Sequence, residues 1–394
     1  MNSQSCKAFL LFILITFNIS YSQSYVPAYG AIVNQCSDAN ILNNLTQFEN
    51  FGVKYRNTAA QTNTLNWLKT QYSNYGYTAS QIVEDPFSYS GSTCKNLVVT
   101  KTGTLYPNTY VIVCGHYDTI NGPGTNDNGS GTTLLLEMAR LLQNVSTEYS
   151  VKFIHFAGEE DGLIGSNHYV DNIVNGTTPK MDIRLVFNID QVGGVAGMNN
   201  NTITCERDLS NPSSNNAQSN TMTNELINCV HLYSTLATNL SVAYSSDYVP
   251  FENNGEIITG FYETNESTHP HSSTDLLVNM DSSYLTNVTK AAIGATLHFA
   301  KASTTLANAD FDTDFQFSFF PNPTKDILKI NMGNFTESSY TFKLFNLQGK
   351  TVLVKKILQP RQIESINLNG LIKGMYLIEI IAANKRITKK IVVE

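Results

Sequence analysis

The stretch SVKFIHFAGEEDGLIGS, residues 150–166, decides the fold. Val151 to Ala157 form an apolar run broken only by Lys152 and His155, too continuous for the in-out alternation of a half-exposed strand. A run of this kind is a strand covered on both faces, the habit of parallel α/β sheets. It stops at Gly158 and delivers two adjacent glutamates, Glu159 and Glu160. Like charges side by side at a buried strand end repel unless a cation or a proton compensates them. A solvated loop just past the strand is the plain alternative.

Working outward, the same design recurs. TYVIVCGHYD (109–118) ends in His116 and Asp118, and RLVFNIDQVGG (184–194) passes through Asp190. NLVVTKTG (96–103) is a further strand. SGTTLLLEMARLLQNV (130–145) has helical spacing, as do ANILNNLTQFENF (39–51) and QTNTLNWLKTQYSNYGY (61–77). Strands alternating with helices predict an α/β fold, with a mixed, mostly parallel central sheet flanked by helices. Ligands on such sheets gather beyond the carboxyl ends of the strands, where GHYD, GEE and NID fall together.

Side chains that suit a metal converge on those ends. Asp127 lies in GTNDNGSG, a glycine-rich loop before the helix, and His269, His271 and Asp275 lie in HPHSSTD. Imidazoles and carboxylates from separate strand ends suit zinc, which accepts N and O ligands and keeps a position open for catalysis. A pair of ions bridged by a carboxylate needs about five ligands. His116, Asp127, Glu160, Asp190 and His271 supply them. His155 within a strand, His168 and His269 read as structural.

Bulk properties narrow the class. The chain has 394 residues, a net charge of −7 and only 14% charged residues, against about 25% in an average soluble protein. No basic patch is present, which argues against a nucleic-acid partner. Lys7 followed by AFLLFILITF (8–17) and small residues reads as a signal peptide over 1–22, too short for a membrane anchor. No later stretch is long and apolar enough to cross a membrane. The five remaining cysteines permit two disulfides, expected as Cys36–Cys94 and Cys205–Cys229, with Cys114 a buried thiol. A polar linker over 303–317 separates a body over 23–302 from a C-terminal module over 318–394, whose short strands and turns read as small and all-β.

The ordered set GHYDT, NDNGSG, GEEDGLIGS, NIDQVGG, SDYVPF and HSSTD resembles the M28 family of zinc aminopeptidases. The resemblance implies a zinc-peptidase fold and two zinc ions per chain bridged by Asp127. His116 and Asp190 complete one site, Glu160 and His271 the other. It also implies Glu159 as the general base and Asp118 as the carboxylate orienting His116. Hydrolysis of N-terminal residues from peptides by a bridging hydroxide is the implied reaction. Where relatives carry histidine in SDHxPF, this chain has Tyr248, so Tyr244 and Tyr248 are both candidates for stabilising the oxyanion. A glutaminyl cyclase-like acyltransferase with one zinc, or a non-catalytic peptide-binding surface protein, are the alternative functions. The tail, with FFPNPTKDILKI, LFNLQGK, GMYLIEI and KRITKKIVVE, resembles the C-terminal sorting domain of the type IX secretion system of Bacteroidetes. That implies export through the periplasm and outer membrane of a Gram-negative cell, by the type IX machinery, to the medium or the cell surface. A monomer is expected.

Overall fold

A computed structural model describes residues 23–303, 318–332, 338–346, 350–382 and 385–394. The expected signal peptide (1–22) and nearly all of the expected linker lie outside these residues. The chain divides into two compact units, one ending at Ala302 and the other starting at Ser303.

The first unit is built on an eight-stranded sheet of order β1-β2-β4-β3-β5-β8-β6-β7. Its strands are β1 (Ile82–Tyr89), β2 (Ser92–Lys101), β3 (Tyr106–His116), β4 (Tyr149–Phe156), β5 (Asp182–Ile189), β6 (Thr202–Arg207), β7 (Ala237–Val242) and β8 (Ile258–Glu263). The centre β4-β3-β5-β8 is parallel, and β6 and β7 form a parallel pair set antiparallel to β8. β1 and β2 add an antiparallel edge.

Helices cover both faces, which is why the central strands are apolar throughout. Along β3, Val111 and Val113 enter the larger core while Ile112 and Cys114 enter the smaller one on the opposite face. The larger core is closed by α1 (Pro27–Val33), α2 (Asp38–Asn50), α3 (Ala59–Asn74), α4 (Gly129–Leu142), α6 (Asn216–Tyr233) and α8 (Ser282–Phe299). The smaller core takes Tyr169 of α5 (Ile164–Tyr169) and Phe251 of α7 (Val249–Asn253). Local sequence sets the helix starts. Ser37, Thr58 and Asn128 each accept a backbone N–H from the first turn of α2, α3 and α4. Among the described residues no helix is long and apolar enough to cross a membrane.

The expected disulfides are not formed: Cys36, Cys94, Cys114, Cys205 and Cys229 are all free thiols. Cys94, Cys205 and Cys229 each pack into the larger core as small apolar side chains. Burial pushes the half-buried Cys36 up to about 12, so it too stays protonated.

The second unit places β10 (Ile327–Asn331) between β9 (Ser318–Phe320) and β13 (Ile363–Asn367). Its other sheet has order β12-β11-β14-β15, from β11 (Ser339–Phe345), β12 (Thr351–Leu358), β14 (Gly374–Ala382) and β15 (Lys385–Val393). Leu328, Ile330, Phe342, Leu344, Ile378 and Ile391 make its separate core.

Candidate metal centre

The centre forms where three parallel strands run out. β3 ends on His116, the loop after β4 carries Glu159 and Glu160, and Asp190 follows β5. Close approach of β3 to β5 is built in at Gly115, where a Cβ would lie 2.6 Å from the Ile189 carbonyl oxygen. Asp127 precedes α4. Its backbone N–H and that of Asn126 are both accepted by the Asp275 carboxylate, at 3.0 and 2.9 Å. The loop carrying His271 is thereby tied to the loop carrying Asp127.

Asp127 sits between two imidazoles. Its Oδ1 is 3.3 Å from His116 Nε2, and its Oδ2 is 3.3 Å from His271 Nε2. His116 Nε2 also meets Asp190 Oδ1 at 3.4 Å and Glu159 Oε2 at 4.0 Å, while His271 Nε2 meets Glu160 Oε2 at 2.8 Å. Donor atoms of His116, Asp127 and Glu160 all lie within 4.8 Å of one another, the span of a single metal-binding triad.

Asp118 acts through the backbone as well as its carboxylate. His116 Nδ1 donates to the Asp118 carbonyl oxygen at 3.1 Å, and the nearer carboxylate oxygen is 3.8 Å away. That carboxylate accepts the N–H groups of Glu159 (3.2 Å) and Glu160 (3.3 Å). It therefore fixes the turn that presents both glutamates.

Charge in this space is unbalanced. Burial pushes Glu160 up to about 8, Asp247 up to about 7 and Glu159 well above the ordinary carboxylate range. Burial acts in the same direction on Asp127, but hydrogen bonds from His116 and His271 overcome it and hold that carboxyl low. The Asp127 hydrogen bond in turn lifts His271 to about 9. His116 is pushed up by Glu159 and Asp190 although burial opposes it. Carboxylates crowded around two imidazoles that are driven to protonate form a pocket short of positive charge. A divalent cation fits that donor set and that deficit.

Other candidates resolve differently. Tyr248 is buried, with its hydroxyl donating to Glu206 at 2.8 Å and accepting the Tyr244 N–H at 2.9 Å. Tyr244 is 87% exposed and lines the cleft of about 690 Å³ above the centre. His269 bonds Thr274, His168 pairs with Asp85 and stacks on Phe87, and His155 meets the Tyr72 hydroxyl in the core. Sequence reasoning missed Ser246, which donates to Asp190 and accepts from Asn188, and the buried Glu206 and Asp247. It also missed Glu263, which accepts from Asn126, Gln191, Gly194 and Ser267. Only SDYVPF hinted at two of these, Ser246 and Asp247.

Comparison with known proteins gives the class. The model of peptidase family M28 matches residues 96–296, and the chain belongs to that family. The secretion system C-terminal sorting domain matches 318–394. Aminopeptidase YwaD of Bacillus subtilis is 39% identical over 108 residues, 27% of this chain and 23% of that protein. An aminopeptidase of Pseudomonas aeruginosa is 42% identical over 97 residues, 24% of this chain and 18% of that protein. The matched stretches thus span less than a quarter of these relatives. The structure of the Legionella pneumophila LapA aminopeptidase superposes with a TM-score of 0.62 at 22% identity, covering 76% of this chain and 80% of that one. A glutaminyl cyclase of Bacteroides thetaiotaomicron superposes at 0.54 with 17% identity, covering 66% of this chain and 97% of that one. At these identities the superpositions establish a shared fold.

Proposed function

We propose that the chain is a secreted zinc-dependent exopeptidase that removes N-terminal residues from peptides. The observation that carries this reading is Asp127, one oxygen towards His116 and the other towards His271, with Asp190 and Glu160 beside them. His116, Asp127 and Asp190 would hold one zinc ion, and Asp127, Glu160 and His271 a second. Zinc held there supplies Lewis acidity for a peptide carbonyl and an acidified water.

The chain's own residues do the rest. Glu159, mostly buried and 4.0 Å from His116, stands beside the ligand set without belonging to it, the position of a general base. It accepts a proton as the carbonyl is attacked and returns it to the leaving amine. Asp118 positions Glu159 and Glu160 through their N–H groups. Tyr244 at the cleft is the freer oxyanion donor, because the Tyr248 hydroxyl is already committed on both sides.

Among the described residues lining the cleft there is no Lys or Arg to clamp a substrate carboxylate, which favours aminopeptidase over carboxypeptidase action. Arg184 donates to the Phe299 carbonyl and Arg207 to Asn220. Retention of both His116 and Asp190 favours two ions over the single zinc of a cyclase. The tail supports export by the type IX machinery to the surface or medium, from a body over 23–302 and a linker over 303–317.

Paired amide substitutions test the reading. Glu159→Gln should keep its zinc while turnover falls by about two to four orders of magnitude. Glu160→Gln should lose zinc and thermal stability together, because metal bound only by the folded state stabilises it. Zinc content near two per chain, with these two separate failures, supports the assignment. One zinc in a fully active enzyme, or two near-wild-type variants, overturns it.

A further inference from the structure

The cleft extends away from the metal centre over the β6–β7–β8 end of the sheet, and the strand register defines its floor. Glu206 is opposite Gly260 on β8 and beside Ser241 on β7, while Thr204 is opposite Tyr262 and beside Asn239. Gly260 in turn is level with Asn188 on β5, two residues before Asp190. Thr204, Glu206, Asn239, Ser241, Tyr248 and Tyr262 all line the same cavity as Asp127 and Glu160. At about 3.3 Å per residue, Glu206 sits about 7 Å deeper along the sheet than the level of Asp190.

Gly260 lets Tyr248 and Glu206 pack directly against β8: a Cβ there would lie 2.9 Å from Tyr248 Cε1 and 3.1 Å from Glu206 Oε2, so both side chains are held in place at the cavity wall. The cavity wall beside Glu206 carries the hydroxyl and amide groups of Thr204, Ser241 and Asn239, and it ends on the Glu206 carboxylate.

That carboxylate lacks a cation. Glu206 is only 7% exposed, and among the described residues its hydrogen-bond donor is the neutral Tyr248 hydroxyl. Arg207 points to the opposite face by strand alternation and bonds Asn220. Burial accordingly pushes Glu206 up to about 7. A buried carboxylate with one neutral donor has lone pairs to spare, and an ammonium or guanidinium group would satisfy both them and the charge.

We propose that Glu206 is the specificity-determining residue of the substrate pocket and selects peptides whose N-terminal residue is lysine or arginine. The inference rests on the aminopeptidase reading and names its substrate class. The basic side chain runs along the cleft past Thr204, Asn239 and Ser241 to Glu206 while the scissile carbonyl lies at the metal centre.

The test compares the zinc-loaded full chain with Glu206→Gln and Glu206→Asp on lysyl-, arginyl-, leucyl- and norleucyl-p-nitroanilides. Norleucine keeps the lysine stem without its ammonium group. The wild type should favour lysyl over norleucyl by at least about tenfold in kcat/KM, because a site built for a polar group rejects the analogue lacking it. Glu206→Gln should collapse that ratio towards unity by lowering lysyl kcat/KM, and Glu206→Asp should restore part of it. Calorimetric binding of lysinol and leucinol, which contain no scissile bond, gives a second readout. If no aminoacyl anilide is cleaved, the aminopeptidase reading fails, and lysinol binding that is tighter than leucinol and lost in Glu206→Gln still upholds the pocket. Equal binding of the two alcohols, a leucyl or norleucyl preference in the wild type, or a ratio unmoved by Glu206→Gln overturns it.

Discussion

The two units bury their strands in opposite ways. In β5 the last residues, Leu185 to Ile189, are buried without interruption, whereas β11 alternates, with Tyr340, Phe342 and Leu344 buried and their neighbours only partly so. A strand covered on both faces leaves polar side chains no place along its length, so they collect at its end. A strand covered on one face disperses them over the outer surface, and charged side chains such as Lys329 and Lys355 are exposed there. The difference teaches why chemistry concentrates in one unit: sealing both faces of the sheet forces His116, Glu159, Glu160 and Asp190 into one small volume.

The sharpest way to break this contrast is at Asp127, which touches both imidazoles. Asp127→Asn should abolish peptidase activity and strip zinc, measured by anilide hydrolysis and metal analysis. Activity surviving at a fraction near wild type would mean that the crowded strand ends are not the active centre. In the tail, Phe342→Ala removes a fully buried ring and should destabilise that unit by about 3–5 kcal/mol. Calorimetry should record the loss in one transition while anilide turnover is unchanged; a fall in turnover would couple the two units.

Acid should sharpen the same contrast, because the doubly covered sheet buries a neutral histidine. Burial lowers His155 to about 3, so between about 6.5 and 3 the unfolded chain binds a proton that the folded chain refuses. Stability supplied by this group is present above the unfolded pKa and is lost as pH falls, by about 1.4 kcal/mol per pH unit. His155→Gln should flatten the acid limb of stability against pH for the peptidase unit. An unchanged slope would place the acid sensitivity elsewhere. The smallest effect belongs to removal of the tail: a chain ending at Ala302 should keep kcat/KM within about twofold, the scale of changes remote from a site. A larger drop in a well-folded protein would make the tail part of the enzyme.

The strand ends were legible because each apolar run announces where it stops, and GHYD, GEE and NID stop in step. The pocket wall was not. Glu206, Gly260 and Tyr248 become neighbours only through the antiparallel seam between β6 and β8, and nothing local in TITCER or ITGFYE marks that seam. Asp275 was visible in HPHSSTD, but its grip on the N–H groups of Asn126 and Asp127 spans 149 and 148 residues. The cysteines misled for a related reason: an export sequence with several thiols reads as a disulfide framework, and burial had already disposed of them.

Those sealed thiols give the folded chain a built-in clock. Alkylation needs a thiolate, and burial keeps Cys94, Cys114, Cys205 and Cys229 protonated and out of reach. Each can be tagged only when its own part of the core opens. Cys114 sits on a central strand, Cys94 and Cys205 each one strand in from opposite edges of the sheet, and Cys229 on α6. The order in which a thiol reagent marks them therefore times, position by position, how the peptidase unit comes apart.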